Sequence, residues 1–411
     1  FQFASMDQYH TLWEGDRKGG LPILYQFIDN GYGMGGQTKG ETMGFGTLAR
    51  AGAGINPQQM HAERVDGFNP LAVIDAYRRK LPLLHKGEGP VLLDVMAYRL
   101  CGHSVSDHGS YRTQEEVETW RAYDPITLFR QELLNNNIAD EKQLDDIWEG
   151  LRQDMIHLLA LAVDDEISPI FDLTKDPEAI SRYIFSNQKI EKMEDRPCEW
   201  NIPYEENQRR KKLAAMDRTK VTYCDSLFEA ILRKFNTDPT LITYGEEIRD
   251  WGGAFGVFEG MSKELPHYRL FNSHIPEAAI VATGVGYAMC GGRSLIELMY
   301  CDFMGRAGDE IFNQLAKWQA MSAGALKLPV VLRVAVGAKY GAQHSQDWTS
   351  LPAHIPGLKV VFPATPYDAK GLMNSALNGT DPVIFFESQR LYEMEEKFHE
   401  GGVPEEYYEI P

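Results

Sequence analysis

The chain is poor in cysteine and in positive charge, and it has no long apolar run. Its five cysteines, Cys101, Cys198, Cys224, Cys290 and Cys301, are an odd number and form no C-x-x-C pair. That spacing argues against a structural zinc site or a disulfide framework and favours a reducing compartment. Lys and Arg number 41 against 59 Asp and Glu, a formal net charge of -18. Such an acidic chain is a poor partner for nucleic acid or an anionic membrane. No uninterrupted apolar run reaches membrane-spanning length. The start, Phe1-Gln-Phe-Ala-Ser-Met, resembles no signal peptide and has no initiator Met, so the expectation is a chain cut from something larger. No short-period repeat is visible.

What is present is a soluble globular composition, 43% hydrophobic and 24% charged, over 411 residues. That length is enough for two or three domains. Residues 21–28 read as a buried strand ending in a turn, 70–84 as a helix and 91–98 as a second strand. Strand, crossover helix and strand together predict a parallel sheet. Residues 114–165 are helical and charged. From 174 to 218 come scattered prolines and the basic run Arg209-Arg-Lys-Lys212, which reads as a solvated linker and a domain boundary.

A second alternating stretch follows. It has helices at 222–235, 277–290, 305–323 and 367–377, and strands at 240–245, 293–298, 329–336, 358–362 and 382–386. The fold class is therefore α/β, two copies of one architecture, each a mostly parallel sheet with helices on both faces.

Ligands of open parallel sheets bind at the carboxyl ends of strands, and several polar groups fall there. Ile28-Asp-Asn-Gly-Tyr-Gly-Met-Gly-Gly36 follows the first strand. The Asn30 side chain and the Tyr32 backbone carbonyl could give a hard cation two oxygen ligands, with Gly31 allowing close approach; Asn30-Gly31 as a plain turn is the competing reading. Arg99-Leu-Cys-Gly-His-Ser-Val-Ser-Asp107 puts His103 after the second strand, and Gly341-Ala-Gln-His-Ser-Gln-Asp347 puts His344 in a small-residue loop. Glu246 ends a strand in Tyr244-Gly-Glu-Glu-Ile248, and Phe303 lies in Tyr300-Cys-Asp-Phe-Met304. Glu277 closes Arg269-Leu-Phe-Asn-Ser-His-Ile-Pro-Glu277 where a helix begins. Each has an ordinary alternative: an early-helix acid, a hydrogen-bonded loop histidine, a core aromatic. Two histidines and two acids on strand-end loops shift the balance toward a site.

Together these segments resemble the decarboxylating first component of the thiamine-diphosphate-dependent 2-oxoacid dehydrogenase complexes, in the pyruvate and acetoin dehydrogenase branch. Residues 1 to about 170 are similar to the later portion of its α part, through Gly102-His-Ser-Val-Ser-Asp107 and Tyr111-Arg-Thr113. From about Thr219 the chain is similar to the start of its β part: Lys220-Val-Thr-Tyr-Cys-Asp-Ser-Leu227, Ile275-Pro-Glu277, Ala342-Gln-His-Ser-Gln346 and Pro356-Gly-Leu-Lys-Val-Val361. Met216 suits a former initiator, as in a fusion of two genes.

The resemblance implies a diphosphate-binding domain at 1–172, a charged linker at 173–218, a pyrimidine-binding domain at 219–390, and at 391–411 the start of a connection to a further domain. It implies thiamine diphosphate, Mg²⁺ and, as an additional candidate, a structural K⁺. Asn30 and Tyr32 would hold the metal, and Glu277 would hydrogen-bond the aminopyrimidine ring. Phe303 would contact that ring and Glu246 would support it. His103 would stand near the diphosphate, and His344 would move protons or orient substrate. The cofactor would lie between an α-type and a β-type sheet, across a dimer. The partner implied is a lipoyl-bearing acyltransferase, with a small 2-oxoacid or acetoin as substrate, in the cytoplasm or the mitochondrial matrix.

Ser104, Ser106 and Ser110 lie on a loop that carries regulatory phosphorylation in some relatives. Ile296-Glu-Leu-Met-Tyr-Cys-Asp-Phe-Met-Gly305 and Pro363-Ala-Thr-Pro-Tyr-Asp-Ala-Lys-Gly371 lean toward the acetoin type. The family's Gly-Asp-Gly motif does not occur here, and Gly15-Asp16-Arg17 lies too close to Asn30 to replace it. With the carboxyl-terminal β domain also missing, the expectation is that residues 1–411 alone do not bind the cofactor normally. A non-catalytic assembly or binding relative is one rival. A transketolase-like enzyme is another, but its phosphorylated sugars would want clustered Arg and His, and no such cluster is visible in the sequence.

Overall fold

Two units divide the chain in this computed structural model, 1–170 and 171–411. The structure describes residues 20–33, 36, 38, 43, 44, 46–56, 60–217, 219–337, 341–393, 395–397, 403–404 and 408–411. Gly15-Asp16-Arg17, Met34 and Gly35 lie outside the described residues.

Unit 1 is built on a three-stranded parallel sheet ordered β1-β3-β2, with β1 Leu24–Asp29, β2 His61–Asp66 and β3 Val91–Met96. The central β3, Val-Leu-Leu-Asp-Val-Met, is almost wholly buried, as expected of a strand covered on both faces. α1 is Leu48–Ile55 and α2 is Pro70–His85. α2 starts where the sequence says it should: Asn69 accepts from the amides of Leu71 and Ala72, and Pro70 takes the first position. Its Ala76 and Leu84 join Val65, Val91, Leu93 and Val95 in the core. β2 escapes the sequence reading because His-Ala-Glu-Arg-Val-Asp is polar. Its charges are satisfied by neighbours, Glu63 by Arg79 and Arg64 by Asp94.

Three helices follow: α3 Gln114–Arg121, α4 Pro125–Asn135 and α5 Glu141–Ala162. Thr113, Asp124 and an Asp140–Gln143 capping box start them.

Unit 2 holds α6 Ser181–Ile184, α7 Gln208–Ala214, β4 Lys220–Thr222, α8 Tyr223–Thr237, β5 Ile242–Gly245, β6 Leu270–Asn272, α9 Glu277–Met289 and β7 Ser294–Leu298. It continues with α10 Ala316–Met321, β8 Val330–Val336, α11 Ser350–Ala353, β9 Lys359–Val361, α12 Pro366–Asn378, β10 Val383–Ser388 and β11 Glu395–Lys397. Six strands form one parallel sheet ordered β6-β5-β7-β8-β10-β9. β4 and β11 pair antiparallel beside it. The stretch read as one helix over 305–323 is instead a 3₁₀ turn over Cys301–Ala307, a π turn over Glu310–Leu315 and then α10.

The segment that reads as a solvated linker is packed onto unit 2 over much of its length. The amides of Ser186 and Asn187 donate to the two oxygens of Asp381 at 2.7 and 2.9 Å. The carbonyl of Ile190 accepts from Arg293 at 2.7 Å, and Leu213 is buried in the core. Its polar composition misleads because backbone groups, not apolar side chains, make most of these contacts.

One ionic group stands in the middle of the sheet. Arg333 on β8 bonds Glu297 on β7 at 2.5 Å and Glu387 on β10 at 2.7 and 2.6 Å. All three side chains are buried.

Candidate active site

In unit 1 the candidate residues gather at the carboxyl ends of β1 and β3. Asn30 turns its side-chain oxygen inward to accept from the Tyr32 amide at 2.9 Å, and Gly31 takes the left-handed backbone (φ +76°) that this tight turn requires. Asp29 accepts from the Gly31 amide at 3.2 Å. A cavity of about 290 Å³ opens here, lined among others by Asp29, Asn30, Tyr32, Arg64 and Glu116. Thr38 also lines it, and its buried hydroxyl has no partner among the described residues.

Glu116, in the first turn of α3, is not among the sequence candidates. It accepts from Tyr32 at 2.6 Å and Tyr98 at 3.0 Å. Burial and then this carboxylate push the Tyr32 phenol up to about 12, so it stays a donor. The signal for Glu116 is faint, because it looks like any early-helix acid beside Glu115.

His103 sits on an exposed loop organised by Asp107. That carboxylate accepts from the His103 amide at 2.7 Å, the Gly109 amide at 2.8 Å and the Tyr111 hydroxyl at 2.8 Å. These bonds hold Asp107 down at about 2. Ser104 and Ser106 lie 3.1 Å apart, oxygen to oxygen.

Arg99 stands 3.1 Å from the His103 ring nitrogen, and Arg99 and Arg112 both lie against the Tyr111 ring, so a basic cluster exists that the sequence alone does not reveal. The guanidinium hydrogens nevertheless go mainly to the protein itself. Arg99 donates to Gly33 and Tyr111, and Arg112 to the carbonyls of Arg99 and Cys101. Both guanidinium groups also lie within 5.9 Å of the Tyr32 ring centre. The cluster thus braces the loop.

In unit 2 the candidates form two groups on the carboxyl edge of the six-stranded sheet. Glu246 follows β5, and Glu277 is the first residue of α9, just past β6. Burial, and next the charge of Glu277, raise Glu246 to about 7. The glycine before it is obligatory: a Cβ on Gly245 would stand 2.8 Å from the Glu297 carbonyl.

The second group is aromatic. The His344 ring meets Tyr300 edge-on at 4.7 Å and Phe303 at 5.4 Å. Gln389, just past β10, donates to the His344 carbonyl at 2.9 Å. Tyr300 is a further member the sequence reading did not single out. Asn30, Tyr32 and His103 belong to unit 1, whereas Glu246, Glu277, Phe303 and His344 belong to unit 2.

All five cysteines are free thiols. Burial raises Cys198 and Cys224 and pushes Cys301 up to about 12, which disfavours any of these three as a nucleophile.

Residues 18–170 match the dehydrogenase E1 component family, and residues 219–395 match the transketolase pyrimidine-binding domain. The acetoin:2,6-dichlorophenolindophenol oxidoreductase β subunit of Cupriavidus necator is 46% identical over 195 residues, covering 44% of this chain and 56% of that protein. Its Bacillus subtilis counterpart is 36% identical over 205 residues, covering 46% and 58%. The chloroplastic pyruvate dehydrogenase E1 component subunit β-4 of Oryza sativa is 36% identical over 194 residues, covering 47% of each chain. The chain thus spans about half the length of the relatives it matches. One polypeptide therefore joins a dehydrogenase E1 component domain to a transketolase-type pyrimidine-binding domain, and its second half is a relative of acetoin and pyruvate dehydrogenase β subunits.

Proposed function

We propose that the chain is the decarboxylating component of a pyruvate-type or acetoin dehydrogenase complex. It would act on a small 2-oxoacid or acetoin and hand the acyl group to a lipoyl group on a partner acyltransferase. The observation that carries this reading is the pair Glu246 and Glu277 on the carboxyl edge of a parallel sheet, one of them raised to about 7 by burial and by the other. Burial first, and the neighbouring charge second, let Glu246 hold a proton near neutral pH.

The residues present fit thiamine diphosphate with Mg²⁺. Asn30 keeps a lone pair beyond its bond to the Tyr32 amide, and Asp29 and the Tyr32 carbonyl are further oxygens of the kind a hard cation takes. The orphaned Thr38 hydroxyl and Arg64 line the same cavity and suit phosphate oxygens. Among the described residues no three His, Cys, Asp or Glu side chains converge to hold a metal, so Asn30 and the Tyr32 carbonyl are the metal ligands proposed. When bound, the cofactor supplies a thiazolium that takes up the electron pair left by departing carbon dioxide.

The chain's own groups do the rest. Glu277 would hydrogen-bond the aminopyrimidine ring, and Glu246 would support it. His344, edge-on to Tyr300 and Phe303, would take or give a proton or orient the substrate. Phe303 and Tyr300 keep water from that wall.

The test is Glu277→Gln in the complete protein, assayed with an artificial electron acceptor. Turnover should fall at least about 100-fold. Turnover that survives nearly intact would remove Glu277 from the mechanism.

A further inference from the structure

A cavity of about 350 Å³ opens on unit 2 between α7, α8 and α12. None of its lining residues belongs to either carboxyl-edge group. Its walls include Tyr204, Arg210, Phe228, Glu229, Arg233 and Lys370. Among the described residues that line it, three cations stand with one carboxylate, within a chain of net charge -18.

The cations are placed by the fold. On α7, Arg209 is spent on structure: it bonds Asp225 at 2.8 Å and the Gly256 carbonyl at 2.8 Å, over the Phe228 ring. One residue on, turned by roughly 100°, Arg210 lies 4.5 Å over the Tyr204 ring and lines the cavity. Lys370 is only 3% exposed, its ammonium held by Glu229 at 2.8 Å and by the Pro404 carbonyl. Glu229 and Arg233 stand one helical turn apart on α8.

We propose that this cavity binds a small dianion, phosphoryl or dicarboxylate, between Arg210 and Arg233, with the Tyr204 ring as an apolar wall. Guanidinium groups match both oxyanions in bidentate geometry. Such a ligand bridges α7 to α8, so occupancy strengthens the hold of the 204–214 segment on the rest of unit 2.

The test is calorimetric titration and thermal melting of the chain in a zwitterionic buffer, with inorganic phosphate or malonate as probe. The expected result is saturable binding and a rise in melting temperature. Arg210→Gln or Arg233→Gln should weaken binding at least tenfold, while Arg152→Gln on α5, an equal loss of charge elsewhere, should leave it unchanged. Arg210→Lys keeps the charge but not the fork, and its several-fold loss serves if a glutamine variant misfolds. A response to phosphate alone assigns a phosphoryl site; a response to malonate alone assigns a dicarboxylate site. No saturable response to either probe overturns the proposal. So does binding that survives the double Arg210→Gln, Arg233→Gln variant, or that Arg152→Gln weakens equally.

Discussion

Glu246 is held between two demands: burial and the charge of Glu277 favour its neutral form, yet at neutral pH much of it must ionise. Its folded pKa lies above its ordinary value of 4.5. The contribution of the protonated form to stability is therefore fully present below about pH 4.5 and is lost as pH rises through about 7. Replacing it by glutamine should raise the melting temperature by a few degrees at pH 8 and by less at pH 5.5. That corresponds to about 1–2 kcal/mol once partial exposure is allowed for, and an equal gain at both pH values would contradict it. Glu116 gives the opposite case. Glu116→Ala strands two phenols and should cost about 1–3 kcal/mol in urea unfolding followed in unit 1, with Glu116→Gln milder. Glu277 and Asn30 could be picked from sequence because they stand where a strand pattern stops. Glu116 and Tyr300 could not, since an early-helix acid and an aromatic next to a buried strand have ordinary explanations that sequence alone cannot overrule.

Among the elements, the strands with continuous apolar runs were legible, and β8, read as residues 329–336, is the clearest. What its pattern conceals is the role of Arg333, one charge inside seven buried residues. Arg333→Met should destabilise by about 3–5 kcal/mol in urea unfolding, because it leaves Glu297 and Glu387 buried without their cation. Adding Glu297→Gln and Glu387→Gln should recover part of that loss. No recovery would mean that the arginine acts mainly by filling space. β2 was harder to read for a different reason. β2 draws its place from ion pairs and from the parallel partner β3, and neither leaves a mark on local hydrophobicity.

For the whole molecule, the two-copy α/β plan was legible from alternation alone, whereas the limits of the second unit were not. Residues 186–213 satisfy buried groups of unit 2: Asp381, Arg293 and, through the Glu191 carbonyl, Lys234. A fragment comprising 171–411 should therefore unfold cooperatively, while 219–411 should be less stable by more than about 3 kcal/mol or fail to fold. Circular dichroism in urea distinguishes the two, and equal stabilities would show the segment to be dispensable. The central ion group has a consequence for folding as well. Every residue of β8 is buried, so a slip of one residue would exchange two nearly equivalent faces, and hydrophobicity could not penalise the error. Arg333 removes that ambiguity. Only the pairing that sets it opposite Glu297, and within reach of Glu387 on the other neighbour, spares the core a stranded guanidinium. The trio thus works as an alignment key: strand order and register, left unwritten by the oily residues, are spelled in charge.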